Sequence, residues 1–408
     1  MDSSRPTLLI PAFHPNLDVI HYGWLGGVIF VQNLARLLSD LGDQERPRIL
    51  VLTDAKTDSE FVRIMVACRA VEGIFRPDGE PVAVKPELHD LVGDGSDKTD
   101  ITRITALFEQ AETLFPACQA LFHPYKALHW IPDLQHKHLP HIFDAEELGH
   151  RDREFAKMLH ERRFVLVSSH ATAADIVRYY PNAPAKVYVW PFVSGLVADQ
   201  PPDADPRVAF GLPEKYLFAP NQFWVHKDHA TLFKAIKLAA DQGLDIPVVC
   251  TGSRGDARKP THFAELMTFV EQNGLNRLVR YLGVVDHMTL LGLFRHAAAI
   301  VQPSLFEGWS TVVEDAKSIG RPIFLTDLSV HHEQAVTPNP FYFFKRGNPQ
   351  HLASQLAEHW PRLTPGPDFE AEMAGSMVRV ARARTSARAF LGIMRDMGEI
   401  TRSETKPA

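Results

Sequence analysis

Short apolar runs alternate with helix-length amphipathic segments along this chain, and the alternation starts twice. In the first half, residues 7–11, 48–53, 120–122, 128–131 and 164–168 read as buried strands. After the first of them a loop runs through Gly23-Trp24-Leu25-Gly26-Gly27, and Val28, Val31, Leu34, Ala35 and Leu38 give the next helix one apolar face. Residues 194–205 hold Gly195, Pro201 and Pro202 among acidic side chains and read as a linker. Beyond it the pattern restarts, with strands at 216–219, 247–251, 279–282, 297–301 and 323–326 and helices at 228–240, 261–273 and 311–319. Strands separated by helix-length segments require parallel sheets covered on both faces. At 408 residues the chain exceeds one ordinary core. The expected fold is α/β, two doubly wound Rossmann-like domains at 1–195 and 206–375 facing across a cleft, with a C-terminal helix over 376–408. No internal repeat or low-complexity tract interrupts this plan.

Composition removes several function classes. A hydrophobic content of 45% with a formal net charge of −6 offers no basic excess for nucleic acid. Cys68, Cys118 and Cys250 form no CxxC pair and read as reduced thiols of a cytosolic protein. No apolar run approaches the roughly 20 residues that span a bilayer, and Met1 to Pro6 lack a signal-peptide apolar region. Membrane contact is therefore expected to be peripheral. Arg379, Arg382, Arg384, Arg388 and Arg395 lie on a helical tail at about 371–400, as a solvated basic face or one that meets anionic lipid. Of twenty histidines, six fall between His123 and His150. His136-x-His138-x-x-His141 lacks a recognised metal-ligand spacing, so these read as pocket or surface residues.

The chemistry concentrates where strands give way to helices. The 297–301 run delivers Glu307-Gly308, and a helix with Val312, Val313, Ala316 and Ile319 on one face follows until Gly320-Arg321-Pro322 stops it. A glycine permits close backbone approach, helix-start N–H groups favour an anion, and Glu307 can accept from hydroxyls. Diphosphate beside polyol describes a nucleotide sugar. Gly26-Gly27, after the first strand, offers similar main-chain access. Asn221-Gln222-Phe223-Trp224-Val225-His226-Lys227 follows the first strand of the second half, with Asp228 as N-cap of the next helix. Lys227 can there neutralise a diphosphate leaving group. Of Glu314 and Asp315, one suits the helix N-terminus and the other a pair of ribose hydroxyls; spacing does not choose between them.

Phe306-Glu307-Gly308-Trp309 through Asp315-Ala316-x-x-x-Gly320-x-Pro322 resembles the donor-site motif of GT-B-fold retaining glycosyltransferases, family 4. In that register the second acidic residue is Asp315, where the family usually carries Glu. Gly26-Gly27, Asn221-Gln222-Phe223-Trp224 with His226-Lys227, and Ser329-Val330-x-His332-Glu333 are similar to further family loops. Trp130-Ile131-Pro132-Asp133-Leu134-Gln135-His136-x-His138 is similar to bacterial surface-polysaccharide members. Gln222 stands where many relatives have Arg, and Pro132 where many have His.

The resemblance implies transfer of a sugar, with retention, from a nucleotide-diphosphate sugar to a glycan or glycolipid in cell-envelope polysaccharide or lipopolysaccharide synthesis. It implies a cytoplasmic protein, peripheral on the inner membrane face, whose last helix returns to the N-terminal domain. The family is generally metal-independent, and no Asp-x-Asp stands in the expected loops. Glu307 is expected to hold donor-sugar hydroxyls and Asp315 the ribose. Lys227, Gln222 and the N–H groups of Ser310 and Thr311 are expected to meet the leaving group. Asn221, Gly308 and Trp309 complete the donor set, with Asp133 expected at the catalytic centre and His136 and His138 positioning acceptor or donor. A sugar-nucleotide 2-epimerase and a non-catalytic nucleotide-sugar sensor are the alternatives.

Overall fold

The computed structural model describes residues 5–12, 25–53, 59–75, 81–84, 109–117, 126–161, 163–193, 205–336 and 339–405. In chain order the elements are β1 (Thr7–Ala12), α1 (Leu25–Ser39), β2 (Arg48–Thr53), α2 (Ser59–Ala67), β3 (Val71–Phe75), β4 (Pro81–Val84), β5 (Thr113–Ala117), β6 (Ala127–Trp130), α3 (Gln135–His138), α4 (Ala145–Glu161), β7 (Phe164–Val167), α5 (His170–Tyr179) and β8 (Lys186–Val189). They continue with α6 (Pro206–Phe210), β9 (Leu217–Pro220), α7 (His229–Asp241), β10 (Val248–Thr251), α8 (His262–Gln272), β11 (Val279–Tyr281), α9 (His287–His296), β12 (Ala299–Gln302), α10 (Thr311–Ser318), β13 (Ile323–Thr326), α11 (Ser329–Gln334), β14 (Phe341–Phe344), α12 (Pro349–His359) and α13 (Phe369–Thr405). The strand expected at 120–122 lies outside the described residues, as does all of the linker expected at 194–205 except Asp205, which caps α6.

The chain divides into two compact units. Unit 1 comprises residues 1–133, 149–193 and 381–408, and unit 2 comprises residues 134–148 and 194–380. Residues 134–148, expected in the N-terminal domain, thus group with the second. Unit 1 is built on a sheet of order β4-β3-β2-β1-β5-β6-β7-β8, parallel except for the antiparallel edge strand β4. Phe30 of α1 stacks on Trp130 at 4.1 Å, and Phe390 of α13 meets Phe115 and Trp190 edge-on. Trp190 Nε1 donates to Ser386 O at 2.9 Å and the Tyr188 hydroxyl to Asp396 Oδ2. These contacts seat the far half of α13 in unit 1, which is the expected return of the last helix.

Unit 2 carries a six-stranded parallel sheet of order β11-β10-β9-β12-β13-β14. Successive side chains point to opposite faces. Leu217 and Ala219 of β9 therefore join one core with Leu232, Phe233 and Ile236 of α7, while Phe218 joins another with Leu293 and Phe294 of α9 and Val312, Val313 and Ala316 of α10. With both faces covered, the strands read as unbroken apolar runs, and this made β9, β10, β12 and β13 visible in the sequence. Gly320 ends α10 at φ +70°, where a Cβ would fall 2.3 Å from Ala371 O. No other residue type fits that position without displacing the start of α13.

Candidate functional site

The strand order of unit 2 reverses between β9 and β12, adjacent parallel strands paired at Leu217–Ala299 and Phe218–Ile300. Loops leaving the carboxyl ends of two such strands diverge and open a crevice, the usual ligand position in an open α/β sheet. The loop after β9 runs into a 3₁₀ turn, Val225–Lys227. Asp228, in the left-handed region at φ +52°, then caps α7, its Oδ1 accepting from Thr231 N at 3.2 Å. The loop after β12 carries Glu307. Lys227 Nζ donates to Glu307 Oε1 at 2.6 Å, with both side chains largely buried. The two residues singled out in the sequence therefore meet at the point where the sheet order turns.

Neighbouring residues hold this geometry, and of these only Asn221 belongs to a motif legible in the sequence. Gln302, at the last position of β12 and fully buried, donates through Nε2 to Glu307 Oε1 at 2.7 Å and to Ser304 Oγ at 3.1 Å. Asn221 Nδ2 donates to Gln302 Oε1 at 2.8 Å. Asn221 was expected to contact the donor, but its side chain is turned inward on Gln302 and buried. The 3₁₀ turn is braced by Asp256, which accepts from Val225 N at 2.9 Å and from Arg258 Nε at 3.0 Å. Burial works against the charged form of Asp256, but the Arg258 and Val225 hydrogen bonds outweigh it and hold the carboxyl below its ordinary range.

Arg258 also donates to Gln135 Oε1 at 2.8 Å and lies over the Phe143 ring, so residues 134–148 pack on this side of unit 2. His138 on the same segment lies 4.9 Å from the Phe306 ring, one residue from Glu307, while His136 is buried. Asp133, Gly26 and Gly27 belong to unit 1, and the Lys227–Glu307 arrangement is built without them. Gly26 and Gly27 fall in the first turn of α1.

At the start of α10 the two adjacent acids have different surroundings. Glu314 is sealed from solvent, with Oε1 accepting from Lys317 Nζ at 2.9 Å and Gln334 Nε2 at 3.1 Å. Asp315 is half-buried. Ser310 caps α10, its Oγ accepting from Val313 N. Its own N–H, expected to meet the leaving group, donates to Gln334 Oε1 at 3.2 Å, because Gln334 also binds Ser310 O at 2.9 Å and fixes the loop from α11. Thr311 opens the helix, Gly308 is buried, and Trp309 and Gln222 are half-buried.

Beside the β9 loop, a cavity of about 380 Å³ is lined by Ser253, Arg254, Tyr281, Leu282, Gly283 and Val284 at the ends of β10 and β11. Phe223 N donates to Ser253 O at 2.8 Å and joins the cavity wall to the Lys227 loop. Gly252, at φ +123°, lets the two chains touch: a Cβ there would lie 2.5 Å from Asn221 O and 2.9 Å from Gln222 N. Arg254 is a second cation that no motif indicated. Among the described residues no group of three or more His, Cys, Asp or Glu is arranged to hold a metal ion, and no helix is long and apolar enough to cross a membrane.

Two doubly wound units of this topology define the GT-B fold of glycosyltransferases. Residues 203–359 of the chain match the family model described as glycosyl transferases group 1. Among solved structures, Anabaena HepE in complex with UDP and glucose aligns with TM-score 0.61 at 14% identity, covering 95% of this chain and 100% of HepE. A sucrose-phosphate synthase from Thermosynechococcus elongatus aligns at 0.59 and 16% identity over 98% and 99% of the two chains. A glycosyltransferase from Rickettsia africae aligns at 0.61 and 13% identity over 96% and 98%. No curated protein sequence matches the chain.

Proposed function

We propose that this protein is a retaining, metal-independent glycosyltransferase of family 4 type. It would move a sugar from a UDP-sugar to a glycan or glycolipid acceptor in cell-envelope polysaccharide synthesis, at the cytoplasmic membrane face. The observation that carries the reading is the Lys227–Glu307 pair at the sheet's switch point, a cation and an acceptor carboxylate side by side. UDP as the carrier is favoured by the UDP-bound HepE structures, and the cavity at Ser253–Arg254 and Gly283–Val284 offers room next to the Lys227 loop.

In the transfer, the bond from the anomeric carbon to the diphosphate oxygen breaks. The acceptor oxygen bonds to that carbon on the same face, and the acceptor's proton passes to the departing phosphate. Negative charge grows on the diphosphate, where a preorganised cation lowers the barrier. Lys227 supplies that cation, Glu307 grips hydroxyls of the sugar, and Asp315 reaches the ribose. No side-chain nucleophile is required.

The test has two stages. A panel of UDP-, GDP- and dTDP-sugars is screened by thermal stabilisation, and the best donor is then incubated with candidate envelope glycans and EDTA while the anomeric proton is followed by NMR. A product of the donor's own anomeric configuration is expected. An inverted product removes retention, and rearrangement of donor alone to its 2-epimer establishes the epimerase alternative instead.

A further inference from the structure

We infer that Gln302 is a positioning residue for Glu307, keeping its carboxylate in place when Lys227 turns to the donor's diphosphate. This rests on the function proposed above. Glu307 Oε1 receives two donors, Lys227 Nζ at 2.6 Å and Gln302 Nε2 at 2.7 Å. Lys227 has a competing destination, because a diphosphate carries more negative charge than one carboxylate and a lysine tip is a mobile point charge. Gln302 has none. It is fully buried, and its amide is committed on both sides: one N–H to Glu307, the other to Ser304 Oγ at 3.1 Å, and Oε1 to Asn221 Nδ2 at 2.8 Å. Rotating the amide by half a turn would set N–H₂ against N–H₂ at Asn221 and oxygen against carboxylate at Glu307. The Glu307 carboxylate, which can only accept, therefore selects the orientation that donates to it, and Asn221 completes that orientation from the other side. Oε1 is held from the sheet and Oε2 is left for the sugar. Gln302 ends β12 and Asn221 directly follows β9, so this brace is anchored on two adjacent central strands of the unit 2 sheet.

The experiment compares wild type with Gln302→Leu and Gln302→Glu by calorimetric titration with UDP and with whichever of UDP-glucose, UDP-galactose or UDP-N-acetylglucosamine stabilises wild type most. Gln302→Leu is expected to bind UDP within about twofold of wild type. Its affinity for the UDP-sugar, or kcat on it, is expected to fall about tenfold or more. Gln302→Glu sets a like charge against Glu307, and its activity relative to wild type is expected to rise as pH falls and the introduced carboxyl takes up a proton and donates. That series carries the test if Gln302→Leu does not fold. Equal losses for UDP and UDP-sugar, no loss for either, or a pH-independent ratio for Gln302→Glu would overturn the inference while leaving the proposed function standing. Wild type that binds neither UDP nor any UDP-sugar overturns both.

Discussion

Glu314 and Lys317 form an ion pair at 2.9 Å with side chains 1% and 3% exposed, one residue from the half-buried Asp315. The two adjacent acids thus differ in their surroundings. Removing one partner of a buried pair leaves an uncompensated charge. Glu314→Ala is expected to cost about 3–5 kcal/mol in urea unfolding. Asp315→Ala should cost less than about 1 kcal/mol and instead weaken uridine binding. Equal destabilisation by the two substitutions would return the assignment to Glu314 or to neither.

Glu307→Ala is expected to lower transfer by about a hundredfold or more while the protein still folds and melts cooperatively, at some cost in stability because Lys227 and Gln302 lose their acceptor. Initial rates on the donor identified by the panel check this. Turnover near wild type would remove Glu307 from the reaction.

Lys227→Ala should weaken UDP binding about ten- to a hundredfold, the worth of a charge-assisted contact, and leave uridine binding nearly unchanged. Titration of both ligands separates charge from nucleoside recognition. Parallel losses would mean that the lysine shapes the loop and does not meet the phosphates.

His229, stacked on Phe223 at 4.0 Å, is fully buried, and neither ring nitrogen has a hydrogen-bond partner. Burial, then His262 and Lys227, push its pKa from 6.5 down to about 3. Below pH 6.5 the unfolded chain takes up a proton there that the native state refuses until about pH 3. Stability is therefore present above the unfolded value and lost as pH falls through that window, by about 1.4 kcal/mol per unit. His229→Phe should escape this term, gaining about 2 kcal/mol on wild type between pH 6.5 and pH 5 in urea melts. A constant difference across that range would contradict it.

Unit 2 was legible because its strands are buried on both faces and its loops carry local signals: Asp228 as cap, Gly320 as stop, Glu307-Gly308 after β12. β14, whose strand residues Phe341 to Tyr342 to Phe343 are only half-buried, lies at the sheet edge and was not read. What the sequence concealed is contact between distant segments. Gln302 looks like the polar end of an apolar strand until it is found under Glu307 and Asn221. Asp256 and Arg258 belong to no motif and matter only because the chain folds them onto Val225. Gln334 takes the Ser310 N–H across 24 positions, which helix-start logic alone assigns to a ligand. The grouping of residues 134–148 with unit 2 is equally a long-range fact, carried by Arg258 on Gln135 and Phe143.

A crystal structure of the UDP complex tests the central pairing most directly. The diphosphate should lie at the carboxyl ends of β9 and β12 with Lys227 Nζ about 3 Å from a phosphate oxygen and Glu307 directed at the space beyond it. UDP bound elsewhere, or with its phosphates remote from Lys227 and Glu307 facing the nucleoside, would contradict the assignment.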